Sequence, residues 1–168
     1  MKKQLLPFLL AFALPLILIF WWWGGFNQAR IETTYRGPYR YAYLAHQGDY
    51  AKLPEKQQEA LQRLQQQNVK TGSPIALLQS DPREAAKRDR KARVGYLVEE
   101  GAQVEAPLAI DAIPARQVLL VEVKAQLLLA PGKAYSALID YLNERQMQLK
   151  LPTVELYQDG VLSVEMPI

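Results

Sequence analysis

The chain of 168 residues is long enough for one compact domain and a short appendage. It contains no cysteine, which excludes disulfides, cysteine nucleophiles and zinc sites built on thiolates. The net charge of +3 is too small to indicate a nucleic-acid partner. Hydrophobic residues make up 49% of the sequence although the mean hydropathy is only −0.15, so the apolar residues must be unevenly distributed.

An uninterrupted apolar run occupies residues 5–23. As a helix it would span roughly 28 Å, close to the thickness of the hydrocarbon core of a bilayer. Lys2 and Lys3 precede the run and three tryptophans end it, as is typical of a membrane segment with a cytoplasmic N-terminus. The run is longer than the apolar part of a cleaved signal peptide, and no small-residue cleavage site follows. The sequence therefore predicts an uncleaved signal anchor over residues 1–26, with a cleaved signal peptide as the alternative.

This anchor predicts a location as well. In a bacterium, a single transmembrane helix would hold the protein in the inner (cytoplasmic) membrane, with the soluble domain in the periplasm. The polar residues 27–38 are predicted to form a linker.

The soluble part shows one pattern of elements twice. In the first half, alternating tyrosines from residue 39 predict a strand. A helix that Pro54 opens and two strands follow, over 54–67, 75–79 and 94–98. In the second half, a strand over 117–129 precedes an amphipathic helix around Leu138. Two strands joined by Asp159-Gly160, a strong hairpin signal, end the chain.

The two halves align with an offset of 77–78 residues, which makes Leu61 equivalent to Leu138. One unit alone would leave a sheet face and a helix stripe exposed, so the halves must pack together. The predicted fold class is α+β: duplicated βαββ units with an antiparallel sheet and two helices, preceded by one transmembrane helix.

Four short motifs in this order carry a resemblance to a known family. They are YRYAYLAHQGDY at 39–50, SDP at 80–82, RVGYLV at 93–98 and PTVELY at 152–157. Together they resemble a GyrI-like (gyrase-inhibitory-protein-like) domain, related in fold to the SOUL proteins, over residues 39–168. The resemblance implies small-molecule binding, as in the effector modules of multidrug-sensing transcription regulators. The second half departs from the family pattern, since residues 127–132 read LLLAPG where members often repeat Gly-x-Tyr.

Glu155 is the first candidate for chemistry. Family members resemble this stretch and commonly use a glutamate there, in an aromatic-lined pocket, to meet cationic or polar ligands. A carboxylate removed from water is costly unless it is paired, so a cation gains free energy by reaching it. The alternative is an exposed glutamate on a strand surface.

Three tyrosines are candidate partners of that carboxylate. Tyr157, Tyr96 and Tyr43 occupy strand positions that could face a shared cleft, where their rings would add cation–π attraction and their hydroxyls could bond a ligand. The alternative is ordinary packing, because tyrosine is a good strand former.

The remaining polar features favour structural interpretations. His46 has no partners at metal-ligand spacing and is predicted to cap the end of its strand, although the related SOUL proteins raise haem ligation as an alternative. The basic run 83–93 is predicted to be a solvated surface, with anionic lipid or a protein partner as the alternatives and nucleic acid disfavoured.

The predicted function is binding of a small amphipathic or cationic molecule without turnover. No cofactor or metal ion is expected, since P-loop, dinucleotide-binding and G-x-S-x-G motifs are absent. One alternative is a hydrolase that uses Glu155 as general base, as the resemblance allows. Another is an adaptor that recruits a protein partner and has a vestigial pocket.

Overall fold

The computed structural model describes the backbone of residues 2–23 and 26–168, and the side chains of the same ranges from residue 11 onward. Three helices and eight strands follow one another in this part of the chain: α1 Lys2–Trp22, β1 Arg30–Arg36, β2 Tyr39–Gln47, α2 Leu53–Gln66, β3 Thr71–Leu78, β4 Lys91–Val98, β5 Ala109–Ile113, β6 Arg116–Lys124, α3 Ala130–Glu144, β7 Thr153–Gln158 and β8 Val161–Pro167. Strand β1 lies inside the segment predicted as a linker.

The predicted transmembrane helix is wrong. Within the described residues, the structure contains no helix whose apolar stretch is long enough to cross a membrane. The side chains of Lys2 and Lys3, on which the predicted orientation depended, and Gly24-Gly25 lie outside the described residues. The periplasmic location was inferred from this anchor, and no described feature bears on it.

The remainder of the fold is α+β with an antiparallel sheet, as predicted, but the sheet has eight strands. Their order is β1-β6-β8-β7-β3-β4-β2-β5, and every neighbouring pair is antiparallel. The βαββ unit occurs twice, as β2-α2-β3-β4 and as β6-α3-β7-β8. Strands β3 and β7 pair with each other and join the two units at the middle of the sheet.

The helices of the two units bury similar stripes. In α2 the buried side chains are Ala60 and Leu64, and in α3 they include Leu138 and Leu142 at the same four-residue spacing. Leu61 is only half-buried. The two helices begin 77 residues apart (130 − 53) and end 78 residues apart (144 − 66), in agreement with the predicted offset, and the equivalence of Leu61 and Leu138 stays a prediction.

Two very short connections force the sheet to curl. Strands β1 and β2 lie six positions apart in the sheet, and β5 and β6 are separated equally, yet only residues 37–38 and 114–115 connect them. Six strand spacings amount to about 29 Å along a flat sheet, whereas such a connection reaches about 11 Å. The two ends of the sheet must therefore approach each other, and the enclosed face holds a core around Tyr41, Ile75 and Leu156.

A buried carboxylate joins these sheet ends on the enclosed face. Glu165 of β8 is fully buried and accepts hydrogen bonds from Arg36 of β1 (3.0 Å), Arg116 of β6 (3.0 Å) and the Tyr39 hydroxyl of β2 (2.6 Å). Burial and this carboxylate raise the pKa of Tyr39 to about 12. The cluster thus stabilises the curled form of the sheet.

The helices cover only the outer parts of the opposite sheet face. Helix α2 packs mainly on β4 and β2, and α3 packs on β6 and β8. Two apolar cores result, one around Leu44 and Leu64 and the other around Val121 and Leu138. The central strands β3 and β7 lie between the helices, and a cavity opens above them.

Candidate functional site

The cavity between α2 and α3 has a volume of about 400 Å³. Strands β3 and β7 form its floor, and the first turns of α2 and α3 form its walls. The site thus lies at the junction of the two βαββ units, and each unit contributes one helix and one floor strand.

Most side chains of the cavity wall are apolar. Leucine, proline, valine and alanine side chains dominate, including Leu53, Leu78, Val94 and Leu127. Among the described residues that line the cavity, Glu155 is the only carboxylate, and none is a lysine or an arginine. The cavity therefore offers a single negative charge in surroundings that solvate charge poorly.

Strand pairing places Glu155 on the cavity floor. Its neighbour on β3 is Ala76, which also pairs with Val94 of β4. Val154 and Leu156 point to the enclosed core on the other face, as period-two alternation predicts. Glu155 is partly accessible from the cavity and otherwise surrounded by protein, which excludes the alternative of an exposed strand surface.

Burial changes the acidity of this group. Removal from water raises the pKa of Glu155 to about 7, against a smaller lowering by the Tyr135 hydroxyl. At neutral pH the carboxyl is therefore close to half ionised. A carboxyl of this kind responds strongly to any positive charge that enters the cavity.

A short hydrogen-bond chain supports Glu155 from the α3 side. The Tyr135 hydroxyl lies 2.9 Å from Thr153 Oγ1 and also bonds the Glu155 carboxylate. Thr153 can donate to Tyr135, which then donates its own proton to Glu155. Burial and the nearby Glu155 charge raise the pKa of Tyr135 well above its ordinary value, so this hydroxyl stays protonated and remains a donor.

Of the three tyrosines predicted beside Glu155, the structure brings Tyr157 into the cavity wall. It lies two residues beyond Glu155 on the same face of β7, and its hydroxyl donates to the Ala125 carbonyl oxygen at 3.1 Å. This bond holds the ring against the loop that connects β6 to α3.

Tyr43 and Tyr96 do not line the cavity. Tyr43 lies on the enclosed face, where its ring centroid is 5.4 Å from that of Tyr41. The Arg93 guanidinium lies 4.8 Å from the Tyr43 ring centroid. Alternation alone could not decide which face of β2 would meet the helices. Tyr96 is on the helix side, but it packs in the core beneath α2 and contacts Gln57.

Gln57 and Gly95 explain part of the RVGYLV motif. A Cβ at Gly95 would overlap the carbonyl oxygen of Ala42, so only glycine permits this close approach of β4 to β2. The Gly95 carbonyl in turn accepts a hydrogen bond from the Gln57 side-chain amide. This bond fixes a polar side chain of α2 at the edge of the cavity.

Sequence reasoning missed Tyr135, Tyr50 and Gln57 as parts of the site. Tyr135 belongs to the amphipathic helix predicted around Leu138, and the spacing of that helix gives no signal that the Tyr135 hydroxyl reaches β7. Tyr50 ends the HQGDY motif, and its hydroxyl bonds the Lys91 carbonyl oxygen at 2.7 Å. The position of Tyr50 at the end of that motif was the available signal.

His46 has the predicted local role. Its Nε2 lies 3.2 Å from the Asp49 carbonyl oxygen, and the Asp49 side chain caps the short turn that follows. Within the described residues, no group of three or more His, Cys, Asp or Glu side chains could hold a metal ion.

Several side chains of the basic run 83–93 form local hydrogen bonds and ion pairs. Arg83 bonds Asp81, Lys87 lies 3.0 Å from Asp49, and Arg90 donates to the carbonyl oxygens of Pro82 and Ala85. Lys87 and Arg88 are largely exposed, as predicted for a solvated surface, whereas the Arg90 side chain is mostly buried.

Comparison with protein families decides the classification. The model of the GyrI-like small molecule binding domain matches residues 30–163, most of the chain. The chain belongs to the GyrI-like family. The matched range includes the first βαββ unit, the second unit as far as the start of β8, and every residue that lines the cavity, so the resemblance in the sequence motifs is confirmed.

Solved structures with this fold include two of the protein EcmrR, at low sequence identity. In the EcmrR–DNA complex, a match with a TM-score of 0.67 and 13% identity covers 99% of this chain and 68% of that one. With the EcmrR C-terminal domain the TM-score is 0.64 at 13% identity, over 83% and 96% of the two chains.

A third neighbour contains a ligand. SAV2435 bound to tetraphenylphosphonium has a TM-score of 0.56 and 13% identity, over 82% of this chain and 93% of that one. At such identities these likenesses show a shared fold. A search of curated protein sequences finds no significant match.

Proposed function

We propose that the cavity binds a small apolar or amphipathic cation without turnover, with Glu155 as its counter-charge. The observation that carries this proposal is the lone carboxylate in an apolar cavity that has no basic residue among its described lining side chains. Tetraphenylphosphonium, the ligand named for SAV2435, is a cation of this chemical class.

The electrostatics of the cavity favour a cation over a neutral or anionic molecule. The Glu155 carboxylate would repel an anion. A neutral molecule would not change the ionisation of Glu155. A cation instead stabilises the ionised carboxylate, which lowers its raised pKa and releases a proton. The rings of Tyr135 and Tyr157 add cation–π attraction in a partly desolvated site.

Apolar contact supplies the rest of the affinity. The walls formed by leucine and proline side chains can cover aryl or alkyl groups, and a volume of about 400 Å³ suits a drug-sized molecule. Hydrophobic contact is not directional, so these walls favour a chemical class over one exact ligand.

A pair of ions of matched shape tests the proposal. Calorimetric titration of the full chain at pH 8 should show binding of tetraphenylphosphonium and at least tenfold weaker binding of tetraphenylborate, an anion of the same shape. Equal affinities would show that charge plays no part. Absence of binding by the cation would overturn the proposal.

A Glu155-dependent hydrolase is the second candidate. The observation in its favour is a carboxyl with a pKa of about 7 beside a tyrosine hydroxyl, since a general base works best when its pKa is near the working pH. Turnover of an activated ester that is lost in Glu155→Gln, while the variant still binds the ester, would support this activity. Equal rates for the two proteins would exclude it.

An adaptor function would use the protein surface and needs no cavity. An open cavity of about 400 Å³ with a desolvated carboxyl counts against a vestigial pocket, because removing a carboxylate from water destabilises the fold. Binding of a protein partner therefore ranks behind small-molecule binding.

A further inference from the structure

A second, smaller cavity adjoins the ligand cavity where α1 meets the loop between β6 and α3. Its volume is about 200 Å³, and its walls include Trp22 and Trp23 of the α1 end together with Ala125 and Gln126 of the loop. Among the described residues, Tyr157 is the one whose side chain lines both cavities.

Tyr157 and the loop form the partition between the cavities. The Tyr157 hydroxyl donates to the Ala125 carbonyl oxygen, which fixes the ring across the boundary. Ala125 and Gln126 face the smaller cavity, while Leu127 faces the larger one. A single side chain and a short piece of loop thus separate the two spaces.

The second cavity has a defined architecture because the end of α1 is bonded to the same loop. The Gln126 amide donates to the Trp23 carbonyl oxygen at 3.0 Å. The Asn27 side chain donates to the Lys124 carbonyl oxygen at 2.6 Å. These bonds place the end of α1, which carries the two tryptophans, beside the partition.

We propose that the smaller cavity is an extension of the ligand site and that Tyr157 sets the length of ligand that the site accepts. This inference rests on the proposed cation site. Glu155 and Tyr157 lie two residues apart on one face of β7, which separates them by about 7 Å along the strand. The tail of an amphipathic cation held at Glu155 therefore meets the Tyr157 ring, and the tryptophan-lined space lies beyond it.

The ligand class that follows is a cation with an extended alkyl or aryl tail. With Tyr157 in place, the tail is confined to the larger cavity. If the ring is removed, the Trp23 wall becomes available to the tail, and each additional buried methylene adds affinity.

Alkyltrimethylammonium ions from hexyl to hexadecyl test this inference with the full chain, by calorimetry below micelle-forming concentrations. For the wild type, affinity should rise about fourfold per methylene until the tail reaches Tyr157, and then stop rising. In Tyr157→Val, which keeps a good strand former, the rise should continue over several more methylenes. Tyr157→Leu serves the same purpose if the valine variant does not fold.

Trp23→Ala is the matched control. Alone it should leave the wild-type length dependence unchanged, and combined with Tyr157→Val it should reduce the gain for the longest tails. A folded Tyr157→Val protein whose affinity stops rising at the wild-type tail length would overturn the extension while the cation site stands. A wild type that binds no member of the series would overturn both.

Discussion

Glu155 lies directly opposite Ala76 across the β3–β7 ladder, at the junction of the two βαββ units. Directly opposite residues on one sheet face are close neighbours, so the size of one side chain decides how much space remains above the other. The methyl group of Ala76 leaves the carboxylate open to the cavity. A larger side chain at residue 76 would occupy the space that the proposed ligand needs.

We therefore expect Ala76→Leu to weaken tetraphenylphosphonium binding about tenfold or more, because the leucine side chain fills the cavity floor next to Glu155. The added apolar contact should leave the free energy of unfolding within about 1 kcal/mol of the wild type. Calorimetric titration and urea denaturation measure the two effects. The matched control is Ala109→Leu, at an exposed position of β5 that does not line the cavity. Equal affinities of the two variants would contradict the assigned position of the ligand.

The sequence predicted those parts of the fold that depend on local patterns. Helical spacing around Leu138, the Asp159-Gly160 hairpin and the repeated strand–helix–strand–strand order are encoded by neighbouring residues. The curl of the sheet was not predictable in this way. It depends on Glu165 meeting Arg36, Arg116 and Tyr39 from distant parts of the chain, and no local spacing reports such contacts.

Local sequence patterns also explain why some site residues were predicted and others were not. Glu155 and Tyr157 share a strand, so period-two alternation put them on one face once the strand was recognised. Tyr43 belongs to another strand, and its face depends on how β2 pairs with β4 and β5. Tyr135 reaches Glu155 only because α3 packs beside β7, a tertiary contact to which its helical stripe gives no clue.

Glu155→Gln should weaken tetraphenylphosphonium binding by about 1.5–3 kcal/mol at pH 8, roughly ten- to a hundredfold, because it removes the counter-charge while it keeps the shape. Wild-type affinity should also fall about tenfold between pH 8 and pH 6, as Glu155 takes up a proton around its pKa of about 7. The variant should show no such pH dependence. Glu100→Gln, in an exposed turn, is the control. A wild-type affinity that is constant over this range would contradict ionisation of Glu155 on binding.

Glu165→Ala should destabilise the fold by about 3 kcal/mol, because it leaves two arginines at the sheet seam without their carboxylate. The cost falls at the lower end of the range for broken buried pairs, since both guanidinium groups keep some access to solvent. Urea denaturation gives the value. Ligand affinity of the folded variant should not change, because Glu165 faces the side of the sheet away from the cavity. A loss below about 1 kcal/mol would show that the seam does not depend on this cluster.

The stability of the wild type should fall as the pH rises from about 4.5 to about 7. The folded protein keeps the Glu155 proton up to about pH 7, whereas the unfolded chain releases it near the ordinary value for glutamate. The tighter proton binding of the folded state stabilises it at low pH, and this contribution is lost through that window. Relative to the wild type, Glu155→Gln should therefore gain about 2–3 kcal/mol between pH 5 and pH 8. Urea denaturation of both proteins at each pH gives their free energies of unfolding, and the difference between them cancels the contribution of other groups. Free energies of unfolding that change in parallel with pH would refute the desolvation of Glu155.

Tyr135→Phe tests whether the hydroxyl on α3 positions and tunes the carboxylate. The hydroxyl bonds Glu155 and lowers its pKa, in opposition to burial, so its removal should raise that pKa further. The midpoint of the pH dependence of cation binding should then move to a higher pH. At pH 9 Glu155 is ionised in both proteins, so the substitution should change the affinity less at pH 9 than at pH 7. Tyr96→Phe removes a hydroxyl that lies outside the cavity and should leave the midpoint in place. A purely structural role for Tyr135 predicts instead a uniform loss of affinity at every pH with no movement of the midpoint.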